Sequence, residues 1–105
     1  MRIPIVNEQD KIIKYIDVSE RQKGDICRVA GLWVTNEKGE ILLAQRNFNK
    51  IKDPGKWGPA VAGTVEEGET YEQNIIKEAE EEIGLKNIKP KIKCKNRRST
   101  SHEYF

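Results

Sequence analysis

The chain has 105 residues and a mass of 12.1 kDa, of which 34% are charged and 36% hydrophobic, so we expect one domain with a modest core. Nineteen basic and 17 acidic residues leave a formal charge of +2, which favours neither a nucleic-acid-binding protein nor a membrane-surface protein. No apolar segment of the sequence is long enough to span a bilayer, and the first residues lack the apolar core of a secretory signal. The expected location is therefore the cytoplasm.

The two cysteines, Cys27 and Cys94, are far apart in the sequence, and His102 is its only histidine. This pattern predicts neither a disulfide scaffold nor a zinc site. Two thiols in a reducing compartment are the expected state.

The first half of the chain is predicted to form β-hairpins. Apolar, β-branched segments on both sides of a polar turn predict an N-terminal hairpin over about 3–16. Residues 26–35 predict a buried strand, and residues 40–46 predict a second strand. The turn signal at 36–39 joins these two strands into another hairpin.

The next segments are predicted to alternate between loops and short strands. Proline and glycine predict a loop over 47–58, which is followed by a strand over 60–65 and a loop over 66–69. Weak alternation predicts a late strand over 88–95. The basic stretch Lys86–Arg98 lacks interleaved aromatic residues, so we expect a solvated flank rather than a polyanion site.

One helix is predicted from about Thr70 to Ile83. Thr70 is the expected N-cap, with Gln73 as its capping-box partner, and Gly84 is the expected C-terminal stop. Apolar residues recur at every fourth position and form one stripe: Tyr71, Ile75, Ala79 and Ile83.

Three carboxylates, Glu78, Glu81 and Glu82, share one face of this helix because they are spaced at i, i+3 and i+4. Like charges at this spacing repel one another, and the helix dipole disfavours anions near the C-terminal end. A divalent cation would remove this repulsion, and carboxylate oxygens suit Mg²⁺ or Mn²⁺. A solvated acidic face is the alternative that these residues leave open.

The segment from Gly63 to Leu85 places the three carboxylates in a longer pattern. It resembles the Nudix box, G-x5-E-x7-R-E-U-x-E-E-x-G-U, in which U is aliphatic. The residues in register are Gly63, Glu69, Glu78, Ala79, Glu81, Glu82, Gly84 and Leu85. Lys77 departs from the pattern, because the family has Arg at that position.

The resemblance implies an α/β protein with the Nudix fold, an α/β/α sandwich around a mixed β-sheet, as a single domain over 1–105. It also implies a hydrolase that uses Mg²⁺ or Mn²⁺ to cleave a diphosphate linkage in a nucleoside-diphosphate-type or related small molecule. The implied metal ligands are Glu78, Glu81, Glu82 and a backbone carbonyl near Ala62 or Gly63. The same three glutamates would be catalytic, and Glu69 and Lys77 would orient them.

Candidate substrate contacts lie just before the box. Trp57 follows a Pro-Gly turn beside the expected site, so stacking on the substrate and packing in the loop are both open. Arg46 stands at the end of a predicted strand, where it could contact a phosphate or remain on the surface.

Only 20 residues follow Leu85, whereas the family's domain continues with further strands and a second helix. We therefore expect either that the domain is C-terminally truncated or that a homodimer formed by strand exchange supplies the missing sheet edge.

Two other functions are compared with the hydrolase. The first half also resembles the isopentenyl diphosphate isomerase branch, but that enzyme has a Cys-Gly-His run where this chain has Ala62, Gly63 and Thr64. The missing thiol and imidazole argue against isomerase activity. A catalytically weak or inactive nucleotide-binding module remains the alternative, because Lys77 loses the bidentate fork of Arg.

Overall fold

The computed structural model describes residues 1–50, 54–91, 95, 98–99 and 103–104. Cys94 and His102 lie outside these residues. The elements in chain order are β1 (Arg2–Val6), β2 (Ile12–Asp17), a single 3₁₀ turn (Val18–Glu20), β3 (Ile26–Cys27), β4 (Val29–Leu32), β5 (Val34–Thr35), β6 (Ile41–Gln45), β7 (Trp57–Pro59), β8 (Val61–Thr64), α1 (Tyr71–Ile83), β9 (Arg98–Ser99) and β10 (Glu103–Tyr104). Within the described part of the chain, no helix has the length and apolar character needed to cross a membrane.

A five-stranded mixed sheet, in the order β2-β1-β3-β10-β9, contains the N-terminal hairpin. The hairpin predicted over about 3–16 is confirmed as the antiparallel pair β1 and β2, in which Ile3 faces Ile16. Strands β3 and β10 run parallel, and the other neighbours are antiparallel. Ile3, Ile5 and Cys27 are buried together and form one of the two apolar clusters of the described chain.

A two-stranded sheet of β4 and β8 supports helix α1. The strands are antiparallel, with Ala30 opposite Gly63. Burial of Ala30 and Val61 from the strands against Ile75 and Ala79 from the helix forms the second apolar cluster. The apolar stripe predicted from the sequence is therefore the face through which α1 packs, and this packing brings the helix against Gly63.

The prediction of one continuous strand over 26–35 is wrong. The segment is divided into β3, β4 and β5, and each of these pairs in a different sheet. Arg28 separates the first two strands and turns its guanidinium toward Asp10. Trp33 separates the last two strands and is 53% exposed. An apolar run in a sequence shows that strands are favoured, but it does not show where the chain changes its pairing partner.

A third sheet has the order β5-β6-β7. The predicted turn at 36–39 is confirmed by the hydrogen bond from the Asn36 amide to the Glu40 carbonyl. The loop predicted over 47–58 is wrong at its end, because β7 pairs with β6 through Trp57 and Gln45. Pro59 is accommodated because, among the described residues, β7 pairs only with β6.

The fold class is confirmed as α/β, with mixed strands and one α-helix in the described part of the chain. The second helical layer of the expected sandwich is not among the described residues. Of the strand predicted over 88–95, residues 88–91 and 95 are not in a strand, and residues 92–94 lie outside the described part.

Candidate active site

Local signals at both ends fix the position of helix α1. Thr70 Oγ1 accepts a hydrogen bond from the Gln73 amide at 3.0 Å, and Gln73 Oε1 accepts one from the Thr70 amide at 2.9 Å. Gly84 ends the helix with a left-handed φ of 71°, and its amide donates to the carbonyls of Ala79 and Glu80. The predicted N-cap, capping box and stop are therefore confirmed. The helix begins directly after Glu69, which places that side chain beside the first turn.

Glu78 lies against the backbone of strand β8 at Gly63. A Cβ atom at residue 63 would be 2.5 Å from Glu78 Cγ and 2.9 Å from Glu78 Cδ, which is closer than Cβ atoms approach other atoms in proteins. Only glycine allows this approach without a displacement of Glu78. Burial raises the pKa of the Glu78 carboxyl, and the charges of Glu82 and Glu81 raise it further. The three box carboxylates therefore interact electrostatically in the folded chain.

Lys77 joins two carboxylates of the loop that precedes the helix. Its Nζ lies 2.5 Å from Glu66 Oε2 and 2.7 Å from Glu69 Oε2. Hydrogen bonds to Glu66 and Glu69 raise the pKa of the Lys77 ammonium. Burial alone would raise the pKa of the Glu69 carboxyl, but hydrogen bonds from Lys77, the Glu66 amide and Asn74 outweigh it and hold that pKa below 4.5. Glu66 was not among the residues predicted from the sequence.

Asn74 is a further polar residue of this site that the sequence reasoning missed. Its side chain is fully buried, and its Nδ2 donates to the Thr64 carbonyl at 3.0 Å and to Glu69 Oε1 at 3.1 Å. The signal that could have found it is its spacing, because Asn74 precedes Glu78 by one helical turn. A polar residue beside the apolar stripe Tyr71–Ile75–Ala79 is at the edge of the packed face.

The loop between β8 and α1 is held by its own backbone and by neighbouring strands. The Val65 amide donates to the Arg28 carbonyl at 2.9 Å, and the Glu67 amide donates to the Arg2 carbonyl at 2.9 Å. The Glu66 amide donates to Glu69 Oε1 at 2.8 Å, so the loop closes on the same carboxylate that Asn74 and Lys77 contact. The loop therefore presents Glu69 in a fixed position.

Glu81 and Glu82 are exposed on the turn of α1 that follows Glu78. Within the described residues, no group of three or more His, Cys, Asp or Glu side chains is already gathered as a metal site. The donor set nevertheless suits a hard divalent cation, because the three carboxylates repel one another and two of them are exposed side chains that can rotate. Asn74 Oδ1 adds a buried oxygen with no hydrogen-bond partner among the described residues.

Arg46, Trp57 and Ala62 lie before the box. The Arg46 amide donates to the Lys56 carbonyl at the loop end of the β6–β7 hairpin, and the Arg46 side chain is exposed. Trp57 is 64% exposed in β7. Ala62 is exposed in β8, one residue before Gly63. Trp57 thus belongs to a different sheet from the one that carries Gly63, and Arg46 directly follows strand β6 of that same sheet.

A second polar cluster joins the N-terminal hairpin to the start of α1. Asp10 accepts hydrogen bonds from Arg28 Nε at 2.7 Å, from the Tyr71 hydroxyl at 3.1 Å and from Lys95 Nζ. Arg28 and Lys95 also lie over the Tyr71 ring, at 5.5 Å and 4.9 Å from its centroid. Lys95, in the stretch expected to be a solvated flank, is exposed as predicted, with 49% of its side chain accessible, and it also binds the Asp10 carboxylate of the hairpin turn.

The family of the chain follows from a comparison with known proteins. The model of the NUDIX domain family matches residues 26–105. The chain belongs to this family. The match contains strands β3 to β8, helix α1 and every residue of the site described above except Arg2 and Asp10.

Three similar proteins extend this finding. An uncharacterised Nudix hydrolase of Pseudomonas aeruginosa is 34% identical over 83 residues, which cover 78% of this chain and 49% of that protein. An isopentenyl-diphosphate delta-isomerase of Salmonella heidelberg is 38% identical over 53 residues, which cover 50% of this chain and 29% of that protein. The crystal structure of DR0079 from Deinococcus radiodurans has a TM-score of 0.69 and 30% identity, and the likeness covers 82% of this chain and 54% of that one.

The chain spans about half the length of the Nudix hydrolases that it matches. The Nudix fold expected from the box is confirmed by the family match and by the similar crystal structure.

Proposed function

We propose that this chain is a Mg²⁺- or Mn²⁺-dependent hydrolase that cleaves a diphosphate linkage in a nucleoside-diphosphate-type or related small molecule. The observation that carries the proposal is the contact of Glu78 with Gly63, which holds a half-buried carboxylate beside Glu81 and Glu82. Repulsion among these carboxylates destabilises the metal-free helix, and a divalent cation would relieve it. The proposal explains why the sequence keeps three acids in this position.

In this proposal the metal ligands are Glu78, Glu81, Glu82 and a backbone carbonyl of Ala62 or Gly63. A bound divalent cation would neutralise phosphate oxygens and lower the pKa of a coordinated water. Glu78 is suited to accept a proton from the attacking water, because burial and the charges of Glu82 and Glu81 raise the pKa of its carboxyl.

Lys77 and Glu69 have an orienting role in the proposal. Glu69 receives three donors and connects the loop to the helix, while the single Nζ of Lys77 bridges Glu66 and Glu69. The bridge keeps the loop beside the helix turn that carries Glu78. We propose Arg46 and Trp57 as substrate contacts, because both side chains are exposed, Arg46 directly after β6 and Trp57 at the start of β7.

The second candidate is a nucleotide-binding module with weak or no hydrolysis. It is favoured by one observation, that the single Nζ of Lys77 contacts Glu66 and Glu69 where the family has the bidentate fork of Arg. The isomerase reaction of the Salmonella relative is not proposed, because this chain has Ala62, Gly63 and Thr64 where that reaction would need a thiol and an imidazole.

The deciding experiment is Mg²⁺-dependent hydrolysis of a panel of nucleoside triphosphates, nucleotide sugars, dinucleotide polyphosphates and prenyl diphosphates. Glu81→Gln is compared with Glu80→Gln, a control on the same helix that points away from the carboxylate face. We expect cleavage by the wild type and by Glu80→Gln that requires the metal, and loss of cleavage in Glu81→Gln.

Each other result has a defined meaning. Cleavage that survives in Glu81→Gln would remove that carboxylate from the site. Binding of Mg²⁺ and nucleotide without cleavage by the wild type would favour the binding module.

We also propose that two copies associate through the sheet β5-β6-β7. Strand β6 exposes apolar side chains on both of its faces, with Ile41 at 54%, Leu42 at 52% and Leu43 at 46%. Sedimentation should give the mass of a dimer. A monodisperse monomer at every concentration would contradict this proposal.

A further inference from the structure

Asn74 is fully buried between helix α1, strand β8 and the loop that carries Glu69. Both hydrogens of its side-chain amide are used, one on the Thr64 carbonyl and one on Glu69 Oε1. Exchanging the amide oxygen and nitrogen would place an oxygen against two acceptors, so these contacts assign the orientation of the amide. The side chain therefore connects three separate parts of the chain through donors alone.

The amide oxygen of Asn74 faces the same glycine as Glu78. A Cβ atom at residue 63 would lie 3.0 Å from Asn74 Oδ1 and 2.5 Å from Glu78 Cγ. Among the described residues this oxygen has no hydrogen-bond partner. A buried oxygen without a partner destabilises the fold, so packing alone does not account for asparagine at this position.

The place of Asn74 on the helix relates it to the rest of the site. Asn74, Lys77, Glu78 and Glu81 are spaced at i, i+3, i+4 and i+7, so they follow one face of α1. Lys77 holds Glu69 through Oε2, and Asn74 holds it through Oε1. If Lys77 were removed, Asn74 would still hold Glu69. If Asn74 were removed, α1 would lose both this hydrogen bond to Glu69 and its hydrogen bond to the Thr64 carbonyl of β8.

We propose that Asn74 is a positioning residue of the hydrolytic site. Its amide fixes the end of β8 and Glu69 relative to α1, and this sets the separation of Gly63 and Glu78. The inference rests on the proposed function, because it assigns Asn74 a role in presenting the carboxylates to a divalent cation.

The test uses two substitutions that both remove the amide donors. Asn74→Ala leaves a small cavity, and Asn74→Leu fills the space with apolar atoms. If Asn74 only packs, Leu should be tolerated better than Ala. If the donors position the site, both variants should lose function alike. Ile75→Ala is the matched control, because it removes a neighbouring buried side chain of α1 that packs in the apolar cluster.

The readouts are Mn²⁺ affinity by calorimetric titration, kcat and KM for the cleaved diphosphate, and Tm. Partners that orient metal ligands typically change affinity or activity by about 10–100-fold when they are removed. We expect a loss of this size in Mn²⁺ affinity and in kcat for both Asn74 variants, with KM for the diphosphate little changed. Ile75→Ala should lower Tm and keep Mn²⁺ affinity.

Wild-type affinity for Mn²⁺ in the Asn74 variants would overturn the inference and leave the proposed function intact. So would an equal loss of affinity in Ile75→Ala, which would show that affinity follows stability alone. If Asn74→Leu does not fold, Asn74→Ala and Ile75→Ala decide the question. A wild-type protein that binds no Mn²⁺ and cleaves nothing would instead refute the proposed function, and this inference with it.

Discussion

Gly63→Ala tests the contact on which the proposed site depends. The new Cβ would lie 2.5 Å from Glu78 Cγ, whereas ordinary contact begins at 3.4 Å, so the Glu78 side chain must move by about 0.9 Å. The glycine does not have a positive φ, so alanine is compatible with the backbone there and the effect is steric. A displacement of about 1 Å at a reacting group costs on the order of 100-fold in rate.

Gly63→Ala should lower the free energy of unfolding only slightly, although it should reduce the rate of hydrolysis strongly. Glu78 is half-buried and flexible, and holding it away from its preferred rotamer costs about 0.5–1.5 kcal/mol. For a domain of this size that corresponds to a decrease in Tm of about 4–8 °C per kcal/mol. Asn74 Oδ1, at 3.0 Å from the new Cβ, must also adjust slightly.

The assay is metal-dependent hydrolysis measured with Tm. Gly31→Ala is the control, because Gly31 pairs with Ala62 in the same sheet and its Cβ would meet Pro59 Cγ at 3.2 Å, with no glutamate among its nearest atoms. We expect Gly31→Ala to lower Tm and keep its rate. Folded Gly63→Ala with the wild-type rate would refute the reasoning, because Glu78 would then have moved without consequence.

Three further predictions follow from the charges. Since the folded-state pKa of Glu78 lies above its usual 4.5, its ionised form destabilises the metal-free fold above that pKa. Glu78→Gln should therefore raise Tm at neutral pH and weaken Mn²⁺ binding, as thermal melts and titrations would show; a lower Tm would contradict the assigned repulsion. Asp10 and Arg28 side chains are only 8% and 16% exposed, so Asp10→Ala should destabilise the chain by about 3–5 kcal/mol in urea unfolding. A decrease in unfolding free energy of less than about 1 kcal/mol would contradict this prediction, because it would show that the Asp10 cluster contributes no more than an exposed salt bridge. Hydrogen bonds hold the pKa of Asp10 below 3.8 and that of Glu69 below 4.5 against the effect of burial. The stabilisation that the ionised Asp10 and Glu69 carboxylates give should be complete above pH 3.8 and pH 4.5, respectively. It should be lost as the pH falls through the lower pKa that each carboxyl has in the folded chain, and acid unfolding of the wild type and of Glu69→Gln would measure this loss.

The features of α1 that could be predicted from the sequence depend on near neighbours in the chain. Thr70 and Gln73 form the capping box across three residues, and Gly84 ends the helix in a conformation that favours glycine. The face shared by Glu78, Glu81 and Glu82 follows from helical spacing alone. Each of these signals is complete within one or two turns, so no tertiary information is needed to interpret it.

The features that could not be predicted depend on contacts between distant segments. Residues 26–35 are mostly apolar, and the charged Arg28 that interrupts them does not by itself show that pairing passes from one sheet to another there. Asp10 and Tyr71 are 61 residues apart, and only the packed fold shows that they share a hydrogen bond. Asn74 could be placed on the carboxylate face from spacing, but its donors to Thr64 and Glu69 require the tertiary structure.

The charges of the site are arranged in a gradient along α1. In the loop before the helix, Glu66 and Glu69 are both held by the ammonium of Lys77, which reaches back from the middle of α1 and neutralises part of their charge. Farther along, Glu78 meets the charges of Glu81 and Glu82, and the last turn has no basic residue. The negative end of the helix dipole lies at the same place and adds to the repulsion. The site thus keeps the loop carboxylates Glu66 and Glu69 paired with Lys77 and gathers its remaining negative charge in the C-terminal half of α1. This arrangement agrees with the divalent cation that we propose, which would offset the repulsion at this end of the helix.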